Sequence, residues 1–90
     1  MDEDVVKSFL RSKIAPPKVI DLAIELYANL SKNERLAIEL CARKRLTQEK
    51  AAEEADCSVD TMQKWYRSAM KRLSAAWNGC EWIAILAGKQ

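Results

Sequence analysis

The sequence predicts an all-α fold, a compact helical domain of five to six helices that contains a helix-turn-helix. Three observations carry that expectation. Glycine and proline number two each in 90 residues, while apolar residues make up 49% of the chain. This composition suits helices packed around one core. Apolar residues recur at the i, i+3, i+4 spacing of a helix face through most of the chain. The periodic stretches also open on residues that cap helices, notably Ser31, Thr47 and Ser58. A chain of this length builds one core, not two, so residues 1–90 read as a single domain. Within it we expect a helical N-terminal support (1–30), a helix-turn-helix core (31–78) and a short apolar C-terminal segment (79–90).

Each element has its own reason. Asp2, Glu3 and Asp4 favour a helix start, and Val5, Val6, Phe9, Leu10 and Ile14 give a helical apolar stripe. Ala15-Pro16-Pro17 ends that helix, because a residue before proline disfavours helical backbone. Pro17 then suits the first turn of the next helix. There Val19, Leu22, Ala23, Leu26, Tyr27 and Leu30 keep the spacing of a buried face, with Ile20 and Ile24 widening it. Ser31-Lys32-Asn33-Glu34 is a capping box, and the helix it opens runs to about Arg43. Its stripe is Leu36, Ala37, Leu40 and Cys41, with Ile38 and Ala42 beside it.

Thr47 to Leu73 is the stretch that the rest serves. Thr47 is a good N-cap, and Glu49 places a carboxylate in the positive first turn. A short alanine-rich helix runs to about Ala55 and breaks at Asp56-Cys57-Ser58, where Asp tolerates a left-handed backbone. Ser58 caps a second, longer helix that stops near Asn78-Gly79. Ala51, Ala52 and Ala55 are small enough for the two helices to touch. Cys57, Met62 and Trp65 take the apolar turn and inward positions. On the long helix Met62, Trp65, Ala69, Leu73 and Ala76 face inward, flanked by Tyr66, Met70 and Trp77. Asp60, Gln63, Lys64, Arg67, Lys71 and Ser74 face away. Beyond Gly79, Trp82, Ile83, Ile85 and Leu86 supply a short closing helix.

Charge and cysteine usage narrow the function. The net charge is only +2, so no blanket attraction to polyanions is implied. The basic excess sits in residues 59–78, in the second helix of the motif. Cys41, Cys57 and Cys80 are far apart in a chain without histidine, which does not make a zinc site. They read as reduced, buried thiols of a cytoplasmic protein. No apolar run approaches the roughly 20 residues of a membrane span, and the acidic MDED start is unlike a signal peptide. The chain has no histidine, no glycine-rich loop and no nucleophile beside a base. We therefore expect no enzyme and no cofactor.

From Leu30 to Leu73 the chain resembles region four of the sigma-70 family, the domain that reads the upstream promoter element. Thr47 stands at the family's helix-opening threonine, and Asp56-Cys57-Ser58 at its Asp-apolar-Thr/Ser turn. Ser68-Ala69-Met70-Lys71-Arg72-Leu73 is similar to its closing Lys-Ala-Leu-Arg-Lys-Leu run, and Leu30-Ser31 with Glu34 to its opening Leu-Thr-Pro-x-Glu. The resemblance implies DNA binding. The family's other half does not fit in residues 1–29, so we expect a free-standing regulator of the kind found in phages and mobile elements. The family tends to place arginine where this chain has Val59, Thr61 and Gln63, which implies a target other than the standard promoter element.

On that reading Val59, Asp60, Gln63, Lys64 and Arg67 are the candidates for base contacts, since they lie where a groove-docked helix meets base edges. Gln can pair with adenine, Lys and Arg with guanine, and Asp with cytosine. Candidates for phosphate contacts are Arg45, Thr47, Gln48, Lys50, Ser58, Thr61, Lys71 and Arg72. Lys71 and Arg72 also match the part of the family's domain that faces RNA polymerase. Trp65 and Tyr66 read as core and core edge rather than base-stacking residues. Trp82, Ile83, Ile85 and Leu86 are either a self-association surface or a segment folded back onto the first two helices. The expected function is sequence-specific binding of double-stranded DNA in transcriptional regulation. The alternatives are a sigma-like adaptor or decoy that binds RNA polymerase or another protein, and a DNA-recognition subunit of a phage packaging machine.

Overall fold

Capping chemistry sets where the helices begin. The computed structural model of the chain describes residues 2–88; Met1 and the last two residues of the C-terminal segment, Lys89 and Gln90, lie outside them. Six α-helices and no strands make up the regular structure of the described residues. The Asp2 carboxylate accepts the Asp4 N–H at 2.9 Å to open α1 (Glu3–Leu10). Pro17 starts α2 (Pro17–Ala23), where its missing N–H costs nothing. The capping box forms in full at the head of α3 (Lys32–Ala37). The Ser31 hydroxyl accepts the Glu34 N–H at 3.3 Å, and the Glu34 carboxylate accepts the Ser31 N–H at 3.0 Å.

Thr47 and Ser58 act as the sequence predicts. The Thr47 hydroxyl accepts the Lys50 N–H at 3.2 Å at the start of α4 (Gln48–Glu54). The Ser58 hydroxyl accepts the Thr61 N–H at 3.1 Å at the start of α5 (Val59–Ala76). Between them Asp56 takes the left-handed backbone, with φ 55°. The Cys57 N–H reaches back to the Ala52 carbonyl at 3.0 Å and closes the turn. Gly79, at φ 85°, lies in the turn that leads to α6 (Glu81–Leu86).

The 18 residues of α5 span about 27 Å and thread two apolar clusters. Its beginning lies in one with Met62, Ala51, Ala52, Ala37, Leu40 and Cys41. Its end lies in the other, where Ala69, Met70, Leu73 and Trp77 meet Phe9, Ile24 and Ile83. Trp65 packs on the outside of the first cluster and Tyr66 on that of both, so Tyr66 is the expected core edge and Trp65, expected in the core, is half-buried at its edge as well. Ala52 is buried in the first cluster. Ala52→Leu should overpack it and cost about 1–3 kcal/mol in a urea melt. Full stability in that variant would mean that this contact is looser than described.

Three expectations need correcting. First, α1 stops at Leu10, before Ala15, because the Ser12 hydroxyl takes over the turn by accepting the Ile14 and Ala15 N–H groups at 3.1 and 3.2 Å. Ile14 is thereby turned to solvent at 74% exposure.

Second, α2 and its π turn bury only part of the expected face: Ala23 and Leu30 are buried with the widening Ile20 and Ile24, but the rest of the stripe is not. Ile20, Ala23 and Ile24 are core, while Leu22, Leu26 and Tyr27 are at least half exposed. The helix ends in a π turn over Ile24–Ala28, closed by Asn29 at φ 48°. Such a turn holds an extra residue and shifts the inward face. α3 ends the same way over Ile38–Arg43, with Leu36 left partly exposed.

Third, Cys57 and Cys80 are half-buried rather than buried. Only Cys41 is enclosed, and burial pushes its thiol pKa up. No helix among the described residues is long and apolar enough to cross a membrane.

Candidate nucleic-acid interface

The outer face of α5 is built by its inner one. With Met62, Ala69, Met70 and Leu73 turned into the core, helical spacing leaves Asp60, Lys64, Arg67 and Lys71 on one exposed stripe. Asp60 lies in the first turn, next to the cap, and the three cations follow at successive turns. Gln63 borders the stripe and is half-buried. A depression of about 250 Å³ brings Gln48 of α4 together with Gln63, Tyr66, Arg67 and Met70 of α5. It joins residues of α4 and α5 in one concave surface.

Several residues named from the sequence have work inside the protein. Val59 packs against the first apolar cluster. The Ser58 hydroxyl donates to the Thr61 hydroxyl at 2.8 Å while capping α5, so both groups belong to the cap. The Thr47 hydroxyl is likewise engaged with the Lys50 N–H, while the Lys50 side chain is exposed in the first turn of α4.

Arg72 pairs with the nearly enclosed Glu34, Nε to Oε2 at 3.2 Å, and the Ser68 hydroxyl donates to the same oxygen at 2.7 Å. Glu34 thus ties the capping box of α3 to the middle of α5. Burial alone would raise its pKa. The Ser31 N–H, the Ser68 hydroxyl and the Arg72 charge outweigh that and hold it below the ordinary value.

Arg45 stands apart from the α5 stripe. It lies with Asp4, Lys7, Ser8 and Arg11 of α1 around a second depression, and its own backbone is left-handed at φ 58°. Glu3 of α1 lines the first depression beside Arg67 and Gln63. Sequence reading missed Glu3, Lys7 and Arg11. Their four-residue spacing puts them near one another on a helix, but only tertiary packing carries that helix to the α4–α5 surface.

The C-terminal segment is divided. Ile83 is fully buried and Leu86 half-buried, with the Leu86 carbonyl accepting the Ser12 hydroxyl at 2.9 Å. Trp82 touches the rings of Phe9 and Tyr27, with centroids at 6.0 and 6.2 Å, and keeps 38% exposure. Ile85 is 67% exposed. The segment therefore folds back onto the N-terminal helices, and of the four residues Trp82 and Ile85 remain for an outside contact. The chain matches no protein-family model, no curated protein and no solved structure in the comparisons made.

Proposed function

We propose that the chain is a cytoplasmic, sigma region-four-like regulator that binds a specific double-stranded DNA sequence by laying the start of α5 in the major groove. The observation that carries the reading is the exposed Asp60, Lys64, Arg67 and Lys71 stripe, set on a helix that α4 holds through Ala51 and Ala52. A short helix braced against a longer one whose first turns are polar outward and apolar inward is the arrangement that such docking uses. Gln63, Lys64 and Arg67 have the chemistry for base edges, and Gln48, Lys50 and Lys71 for phosphates. Arg72 is a weaker candidate, because pairing with Glu34 already engages it.

Arg67→Ala and Lys64→Ala test base readout directly. Each should weaken specific binding by about 1–3 kcal/mol and relax preference at one base pair in a selection from random duplexes. A mutant that selects the parent's sequence with the parent's stringency would remove that residue from the reading set.

A second reading, an adaptor for RNA polymerase or another protein, has its own support. Leu22, Leu26, Tyr27, Trp82 and Ile85 are exposed on α2, its π turn and α6, and the Tyr27–Trp82 contact joins the two elements. Exposed apolar surface of this kind is a common feature of protein-binding faces. The two readings are compatible, since a DNA-bound regulator also needs a protein to act upon. The same surface would serve a homodimer reading paired half-sites.

A further inference from the structure

We propose that α1 extends the DNA-contacting surface, with Lys7, Arg11 and Arg45 forming a cluster that holds backbone phosphates and Glu3 opposing contact beside Arg67. This rests on the DNA-binding reading above and enlarges it from Arg45, a phosphate candidate already, to Glu3, Lys7 and Arg11, which lie outside the sigma-like resemblance.

The cluster comes from two elements distant in sequence. Lys7 lies on α1 and Arg11 one turn further on, at its C-cap, and Arg45 lies within the connection between α3 and α4. Among the described residues, ion pairs engage Arg43 and Arg72 rather than these three. Asp4 is the acidic residue of the depression, against three cations and Ser8. Like charges gathered without matching carboxylates repel, and an anion placed among them relieves that repulsion.

Arg45 adds a backbone observation. The Leu46 N–H returns to the Leu40 carbonyl at 3.0 Å, which closes the π turn and requires a left-handed residue at position 45. Glycine or asparagine meets that need with least strain, yet an arginine stands there and projects beside Lys7 and Arg11. Arg11 is fixed as well. Its Nε donates to the Ala42 carbonyl at 3.0 Å, using one of its five N–H donors.

The position fits the same duplex. Glu3, at the start of α1, shares the depression of Gln48, Gln63 and Arg67, while Lys7 and Arg11 follow at the next two turns. Four residues of helix rise about 6 Å, close to the advance of two phosphates of one strand measured along the duplex axis, about 3.4 Å each. A duplex seated on α5 therefore meets cations along α1. Near Arg67 it meets the Glu3 carboxylate, which repels phosphate, and Asp4 opposes the three cations in the same way.

Duplex binding across a salt series tests this with the full chain. Three variants are compared with the parent: Lys7→Ala combined with Arg45→Gly, Glu3→Gln, and Arg67→Ala. Glycine suits the left-handed position, so the double variant should keep its fold, as circular dichroism will show. Its slope of log affinity against log salt should fall by about 1.8, because each lost phosphate contact removes about 0.9. The weakening should be equal on the selected duplex and on an unrelated one, with the selected sequence unchanged. Glu3→Gln should tighten binding to both.

An unaltered slope in the double variant, while Arg67→Ala still changes sequence preference, would remove α1 from the interface and leave the DNA reading intact. A parent that binds no duplex would overturn both. Loss of polymerase binding with DNA binding preserved would assign the cluster to a protein and overturn the proposal.

Discussion

Trp77→Ala is expected to cost about 3–5 kcal/mol, the largest effect of any single change considered. Trp77 is fully buried where α5 ends. It meets Phe9 edge-on with centroids 5.1 Å apart, and its Nε1–H donates to the Ala23 carbonyl at 3.3 Å. One side chain therefore joins α1, α2 and α5. Truncation leaves a large cavity among parts that cannot all close on it, and it removes the hydrogen bond of the indole N–H. Against a total stability of about 5–15 kcal/mol for a small domain, the loss should lower Tm by roughly 15–30 °C. Trp77→Phe keeps much of the packing and should recover over half of the loss. A Tm within a few degrees of the parent in the alanine variant would mean that the second cluster is not the core described.

Glu34→Ala should cost about 2–4 kcal/mol, although carboxylates are usually dispensable surface groups. The residue is only 5% exposed, and its two oxygens serve the Ser31 N–H, the Ser68 hydroxyl and Arg72. Arg72 itself is largely solvated, so its pairing adds little and the hydrogen bonds carry most of the effect. Glu34→Gln keeps a capping-box residue and should cost less.

The two forms also separate by pH. The folded-state pKa of Glu34 lies below its unfolded value, so its contribution is full above the unfolded value near 4.5 and fades as pH falls through the folded one. The gap in stability between parent and Glu34→Gln should thus narrow on acidification below that range. A gap that stays constant from neutral pH down to the folded-state pKa would show that charge plays no part.

The helix starts and the turn between α4 and α5 were legible because their signals are local. Ser31, Thr47 and Ser58 cap the helices that follow them, and Asp56 takes the left-handed turn, each by chemistry contained within a few residues. The facing of α5 was legible for a related reason. One side carries nearly all the charge, which fixed the stripe of Asp60, Lys64, Arg67 and Lys71; Gln63 and Ser74, expected on that side, are half-buried, and the Ser74 hydroxyl is enclosed.

α2 offered two solutions. Ala23 borders two stripes, one continued by Val19, Leu22 and Leu26 and the other by Ile20 and Ile24, which widened the expected face. Trp77 and the π turn select the second, and both belong to packing that no local pattern encodes. The same limit hid where Glu3, Lys7 and Arg11 lie, since that depends on how α1 packs. It also split Trp82 and Ile85 from Ile83. A run of apolar residues says that something must cover it, but not which side chains the fold will cover first.

The central claim is that this chain reads DNA sequence with the start of α5. Selection from random duplex DNA, followed by titration of the enriched and a scrambled duplex at about 50 and 200 mM salt, tests it most directly. Binding should converge on one short sequence, with at least about 10³-fold preference over the scrambled duplex and affinity for both falling steeply with salt. A folded protein that enriches no sequence, or that binds both duplexes equally at each salt concentration, would contradict it.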